Sequence, residues 1–179
     1  HASLEHRRRF RAEAETIARL RHSSIVQIYE VGEDHGRPYL ALELIEGGGL
    51  QDFTQGEAQD PHWSAQLVAQ LAAAMQYAHE QGVVHRDLKP ANVLLDDVGD
   101  TQPGPWAKPR RAHSPHAKIT DFGLAKDLVT DNNVTRTGVV MGTPGYLAPE
   151  QAAGKPRDVN ATADIYALGV LLYELLAGE

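Results

Sequence analysis

The chain contains no cysteine, which excludes disulfide staples and thiolate chemistry and suits a reducing compartment without requiring one. No signal-peptide pattern is visible at the start of these residues, where Arg7-Arg8-Arg9 runs into a helical pattern and no apolar core follows. The longest apolar stretch, 165–177, is interrupted by Glu174 and is too short to cross a bilayer. The residues are therefore expected to be soluble and to meet a membrane only through other parts of a longer protein. Positive charge is scarce: 17 Lys and Arg stand against 24 Asp and Glu, a formal net charge of −7. A nucleic-acid partner would call for the opposite balance. No internal repeat is visible.

What is present suits one globular domain: 179 residues, 42% of them hydrophobic and 23% charged. Phe10, Ala14, Ile17 and Leu20 recur at helical spacing among charged neighbours, which predicts an amphipathic helix. Ile25-Val26-Gln27-Ile28-Tyr29 and Tyr39-Leu40-Ala41-Leu42-Glu43-Leu44 read as two strands of a hairpin, with turn residues at 33–36. Gly47-Gly48-Gly49 then breaks the strand and forms a linker. Asp60-Pro61 predicts a helix start, followed by Trp63, Leu67, Val68, Leu71, Met75 and Ala78 on one face and an end near Gly82. Short strands are expected at Val83-Val84, Val93-Leu94-Leu95 and Lys118-Ile119-Thr120. The segment 163–177 is apolar nearly all round, which predicts a helix at the centre of the domain.

Residues 97–116 interrupt this pattern with four prolines and the basic cluster Lys108-Pro109-Arg110-Arg111. Hairpin loops usually take about 2–5 residues, so this stretch reads as a surface insertion. His113 and His116 within it read as solvated loop rather than as a metal site, since two histidines alone make a poor ligand set.

Asp87, Asn92 and Asp121 together suggest a chemistry. Phosphoryl transfer from a nucleotide needs oxygen ligands for Mg2+, a group that orients the attacking hydroxyl, and positive charge on the phosphates. An Asp of ordinary pKa, about 3.9, is ionised at neutral pH and can accept the proton of a substrate hydroxyl. Asp87 would be a feeble base for a free alcohol, which fits a loose transition state in which the proton leaves late. Asn92 offers an amide oxygen and Asp121 a carboxylate to a metal, while Lys89 can set a point charge against the transferring phosphate.

The run His85-Arg86-Asp87-Leu88-Lys89-Pro90-Ala91-Asn92, followed by Asp121-Phe122-Gly123 and Ala148-Pro149-Glu150, resembles the Hanks-type (eukaryotic-like) Ser/Thr protein kinases. The wording Ala148-Pro149-Glu150-Gln151-Ala152 looks most like the bacterial members. The resemblance covers essentially the whole chain, from the family's αC helix to its αF helix. It implies an α+β, two-lobe kinase-like fold, truncated, with a partial N-lobe sheet and hinge in 1–45 and the first part of a mainly helical C-lobe in 46–179. It makes Asp87 the catalytic aspartate, Asn92 and Asp121 the metal ligands, and Lys89 the contact to the γ-phosphate. Lys89 and Thr143, which bonds the catalytic aspartate and lysine in such kinases, imply a Ser/Thr acceptor. Glu13 falls where the family places the αC glutamate that pairs with a strand lysine. Taken alone it reads as a solvated helix charge. Glu43, Leu44 and Ile45 match the hinge that meets adenine through backbone groups, with Leu42 at the gatekeeper position. Asp164 matches the αF aspartate that anchors the catalytic loop, or else caps its helix. Thr135 and Thr137 resemble paired activation-loop phosphothreonines, and Arg86 the arginine that receives such a phosphate.

The implied cofactors are ATP and Mg2+, with Mn2+ as an alternative. The implied partners are proteins bearing Ser or Thr hydroxyls and a second copy of the kinase for autophosphorylation. The expected location is the cytoplasm, as a free protein or as the cytoplasmic part of a membrane-anchored one. Two parts of the family pattern are not found, the Gly-rich loop over the phosphates and the strand lysine. Gly47-Gly48-Gly49 does not replace the former, because it follows the hinge. With His1 in place of Met and an end inside a helical pattern, the chain reads as a piece of a longer kinase that would be inactive alone. Two other classes compete. A pseudokinase scaffold usually loses one of the aspartates retained here. A small-molecule phosphotransferase shares the Asp and Asn arrangement but does not explain Lys89, Thr143 and Ala148-Pro149-Glu150.

Overall fold

The computed structural model describes residues 4–96, 116–122, 144–153 and 160–178. An amphipathic helix α1, Leu4–Ile17, buries Phe10, Ala14 and Ile17. Leu20 joins that apolar row from just beyond the helix end. The hairpin of β1, Ile28–Asp34, and β2, Arg37–Leu42, is antiparallel, with Asp34 opposite Arg37. His35 and Gly36 form a two-residue turn, and both take positive φ (46° and 75°). That backbone matches the right-handed twist of the strands, and glycine adopts it without steric cost. The first strand lies later than the sequence suggests. Ile25 makes only an isolated parallel bridge to Ile119, because Ser24 and Val26 bond to the backbone of Ile119 instead of to β2.

The glycine run leads into a short helix α2, Leu50–Thr54, and then the long helix α3, Pro61–Glu80. Asp60 caps α3 by accepting a hydrogen bond from the Trp63 N–H at 2.9 Å, with Pro61 in the first turn where its missing N–H costs nothing. Leu67, Leu71, Ala74, Met75 and Ala78 are buried, while Trp63 and Val68 are half-buried at the margin. Val83 and Val84 form no strand, despite their β propensity; among the described residues no strand pairs with them. A single 3-10 turn, Pro90–Asn92, precedes the ribbon of β3, Val93–Leu95, and β4, Ala117–Ile119. This pair is antiparallel with Leu95 opposite Ala117, and the Asp96 N–H donates to the His116 carbonyl at 2.8 Å. The ends of the expected insertion therefore meet; residues 97–115 lie outside the described part.

After a 3-10 turn at Pro144–Tyr146 come α4, Pro149–Ala152, and α5, Ala161–Ala177. Asn160, not Asp164, caps α5, its side chain accepting from the Thr162 N–H at 2.8 Å. At the other end Gly178 takes φ 78°, and a Cβ there would come within 2.6 Å of the Ala58 nitrogen, so only glycine fits. The expectation that α5 is buried all round does not hold. Ala163, Asp164, Ala167, Leu168, Leu171 and Leu175 are buried, but Ile165, Tyr166, Tyr173 and Leu176 are exposed among the described residues. One core joins α1, α3, β3, β4 and α5 through Ile17, Leu71, Val93, Ile119 and Leu171. Among the described residues no helix is long and apolar enough to cross a membrane.

Candidate active site

The loop 85–92 connects the end of α3 to β3, and its conformation is set by groups far away in sequence. Asp164, near the start of α5, is 1% exposed. Its Oδ2 accepts from the His85 N–H at 2.9 Å and its Oδ1 from the Arg86 N–H at 2.8 Å. His79 Nε2 lies 2.8 Å from Oδ2. A buried carboxylate is costly unless hydrogen-bonded, and here the bonds come from the loop itself. Arg86 consequently takes φ 66°, a left-handed backbone for a non-glycine residue.

His85 ties the loop on its inner side. Its Nδ1 accepts from the Asp87 N–H at 3.2 Å, so Nε2 carries the proton and donates to the Thr120 carbonyl at 3.0 Å. The ring is fully buried and lies against Phe122, with centroids 4.7 Å apart. Burial holds the imidazole below its ordinary pKa of 6.5, against the opposing effects of the Thr120 carbonyl and the carboxylates of Asp164, Asp87 and Asp121. A neutral ring is what this bonding pattern requires.

Beyond Asp87 the chain turns back on itself. Asn92 Nδ2 donates to the Asp87 carbonyl at 2.8 Å and approaches Asp87 Oδ2 at 3.5 Å. Lys89 Nζ stands 3.1 Å from the same Oδ2. The Asn92 carbonyl accepts from the Thr120 N–H at 3.0 Å, so the residue preceding Asp121 is bonded to both His85 and Asn92. Asp121 itself is exposed, with φ 57°. Asp87, Lys89, Asn92 and Asp121 thus converge, from a loop and a strand end that share backbone hydrogen bonds. A small apolar cavity lined by Ile17, Val26, Ile28, Leu40 and Leu42 abuts Thr120, Asp121 and Phe122.

The other expected site residues lie elsewhere. Glu13 is half-buried on α1, in the turn after the buried Phe10. Glu43 follows β2, and its side chain is turned inward: Lys118 Nζ bonds Oε1, and the Gln27 N–H donates to Oε2 at 3.1 Å. Burial works to raise this carboxyl, but the Lys118 and Gln27 hydrogen bonds and the Lys118 charge outweigh it and hold it below the ordinary value. The Glu43 N–H is also taken, by the Gln27 carbonyl at 2.9 Å. Leu44 is 81% exposed and Ile45 half-buried. Thr135, Thr137 and Thr143 lie outside the described residues.

Sequence inspection missed the contacts of Gln151, Glu150, His79 and Lys118. Gln151 accepts from the Ala148 N–H at 3.1 Å and donates to the Arg86 carbonyl at 2.8 Å, so α4 also grips the loop. Glu150 accepts from the Thr162 hydroxyl at 3.3 Å. His79 shares Asp164, and Lys118 locks Glu43. Only a charged residue standing inside an apolar strand, as Lys118 does, could have signalled a partner in advance.

The geometry can be set beside known proteins. The protein kinase domain family matches residues 1–179. The chain belongs to the protein kinase domain family. Two mycobacterial relatives resemble it over 96% of its length: the serine/threonine-protein kinase PknL of Mycobacterium tuberculosis, 39% identical over 174 residues, and PknB of Mycobacterium leprae, 36% identical over 176 residues. The chain spans 38% of the former and 25% of the latter. The crystal structure of the M. tuberculosis PknI kinase domain superposes with TM-score 0.70 at 30% identity, over 99% of this chain and 59% of that one. Rad53 1–466, crystallised in complex with AMP-PNP, gives TM-score 0.70 at 29% identity, over 95% of this chain and 38% of that one. The fold is therefore that of a protein kinase domain, α+β, with two small two-stranded sheets among the described residues and a helical core. Its relatives are Ser/Thr kinases, and the family's chemistry uses ATP and a divalent cation.

Proposed function

We propose that this chain supplies the catalytic loop and metal-ligand residues of a Ser/Thr protein kinase, which moves the γ-phosphate of ATP to a protein hydroxyl. The observation that carries this reading is the convergence of Asp87, Lys89 and Asn92 in one hydrogen-bonded loop, held next to Asp121 by Thr120. In this reading Asp87 receives and orients the acceptor hydroxyl, and the Lys89 ammonium, now paired with Asp87, would pair with the γ-phosphate when substrate is bound. Asn92 directs its amide nitrogen to the Asp87 carbonyl, which leaves Oδ1 available as an oxygen ligand. That oxygen and the Asp121 carboxylate fit Mg2+, which is commonly held by one or two protein groups and keeps several waters; Mn2+ would suit the same donors. When bound, the cation neutralises charge on the phosphates. Thr143 would support Asp87 and Lys89. Glu43, Leu44 and Ile45 would meet the adenine through backbone groups; because the Glu43 N–H already donates to the Gln27 carbonyl, Glu43 would contribute its carbonyl. Glu13 would pair with a lysine on a neighbouring strand.

The lobes divide in this reading at 45–46, with 97–116 as a surface insertion. Control belongs to the same reading: phosphate on Thr135 and Thr137, added by a second copy, would dock on Arg86. Full activity of a Thr135→Ala, Thr137→Ala variant would remove that arm. The whole reading is tested by incubating the full-length protein with ATP, Mg2+ and a mixed protein substrate. Phosphoserine and phosphothreonine are expected; transfer to small alcohols alone would contradict it.

A further inference from the structure

The direction in which a side chain leaves the backbone is decided by the two peptide planes that flank its Cα. Each plane is rigid, so fixing both fixes φ and ψ, and the L-chirality of the Cα then fixes the Cβ. At Asp87 both planes are clamped. The peptide that follows is held through the Asp87 carbonyl, which accepts from Asn92 Nδ2 at 2.8 Å. The peptide that precedes is held at both edges. Its N–H, on Asp87, donates to His85 Nδ1 at 3.2 Å, and its carbonyl, on Arg86, accepts from Gln151 Nε2 at 2.8 Å. His85 and Asn92 belong to the same loop as Asp87. Gln151 comes from another element, α4, 65 residues further on.

This outside hold acts where the loop is under strain. Arg86 takes a left-handed backbone, φ 66°, which in a non-glycine residue persists only when the surroundings impose it. Asp164 accepts the N–H groups of His85 and Arg86, both on the N-terminal side of the Arg86 Cα. Gln151 takes the carbonyl on the other side. Its amide cannot turn over, because Oε1 accepts from the Ala148 N–H at 3.1 Å, and the reverse placement would set donor against donor and oxygen against oxygen. The Thr162 hydroxyl, donating to Glu150 at 3.3 Å, links α4 to the start of α5, the helix that carries Asp164.

We propose that Gln151 is a positioning residue for phosphoryl transfer: by donating to the Arg86 carbonyl it fixes the peptide before Asp87, and with it the direction of the Asp87 carboxylate. The inference rests on the kinase reading and adds to it a residue that acts only through Asp87. Gln151 is half-buried, so changing it leaves the core intact.

Three substitutions in the full-length protein separate the two ends of the amide. Gln151→Glu keeps the acceptor for Ala148 but sets an oxygen against the Arg86 carbonyl. Gln151→Lys keeps a donor for that carbonyl and loses the acceptor. Gln151→Met removes both without adding charge. Gln151→Glu and Gln151→Met are expected to lower kcat for protein phosphorylation about tenfold, with KM for ATP and protein changed about twofold or less. Gln151→Lys should stay within about threefold of the unsubstituted kcat. A side chain that only capped α4 would give the opposite order, with Gln151→Glu unimpaired and Gln151→Lys slowed. Hydrogen exchange reads the same hold without turnover. The Asp87 amide should exchange about tenfold faster in Gln151→Met, while His85 and Arg86, held by Asp164, keep their rates.

Undiminished kcat in Gln151→Met, the capping order among the three variants, a loss confined to KM, or an Asp87 amide that exchanges no faster would each overturn the inference and leave the kinase reading intact. An unsubstituted protein that phosphorylates no protein would bring down that reading, and this inference with it.

Discussion

The loop 85–92 and the segment 43–49, which the proposed function assigns to phosphoryl transfer and to adenine recognition, are held in opposite ways. The loop is pinned from three directions: Asp164 takes two of its N–H groups, Gln151 takes the Arg86 carbonyl, and His85 reaches Thr120. The segment is held by the Glu43 side chain and by two backbone links to β3, Leu95 N–H to the Gly48 carbonyl and the Gly49–Leu94 bridge. Leu44 between them stands in solvent. In the loop, where the proposed function has side chains meet a reacting atom, the chain spends buried polar groups to fix the backbone. In the segment, where the proposed recognition would use backbone groups alone, one ion pair and a few hydrogen bonds to Gln27 and β3 hold the chain. Pre-organisation of this kind lowers the cost of reaching the productive geometry.

The contrast breaks most severely at Asp164. Asp164→Ala strands two loop N–H groups in a buried site and should lower stability by about 3–5 kcal/mol. Chemical denaturation measures the loss, and faster amide exchange at His85 and Arg86 locates it. A pH scan comes next. The buried His85 imidazole is held below 6.5, so the unfolded chain takes up its proton first as pH falls. Its contribution to stability is complete above about 6.5 and is lost below it. Melting temperature against pH should therefore decline on the acid side, and His85→Asn should flatten that decline.

Smaller effects sharpen the comparison. Lys118→Met frees Glu43 on the segment side; because both groups are partly solvated, the cost should be about 1 kcal/mol. Nucleotide affinity should respond more than turnover, which titration with an ATP analogue would register. Gln151→Ala removes one bond to a loop already fixed by Asp164, so a loss of about 0.5–1.5 kcal/mol is expected in the same denaturation assay. If it matched the Asp164 variant, the loop would not have the dominant anchor assigned to it.

Much of this site was legible in the sequence because its signals are local. His85 through Asn92 sit in one octapeptide, Asp60-Pro61 announces α3, and Val93-Leu94-Leu95 forms its strand as expected. Long-range pairing was not legible. His79 meets Asp164 across 85 residues, Lys118 meets Glu43 across 75, and Gln151 meets Arg86 across 65. No periodicity encodes such contacts. Propensity also misled in two places. Among the described residues Val83-Val84 has no neighbouring strand despite its β-branched side chains, and the apolar α5 buries one face only. Both errors come from reading a segment without its neighbours.

The most direct measurement concerns Asp87, the residue that the whole arrangement holds in place. In the full-length protein, Asp87→Asn should cut kcat for protein phosphorylation by about 10²- to 10⁴-fold, with ATP affinity and fold retained. Undiminished turnover in a correctly folded Asp87→Asn protein would contradict the account at its centre.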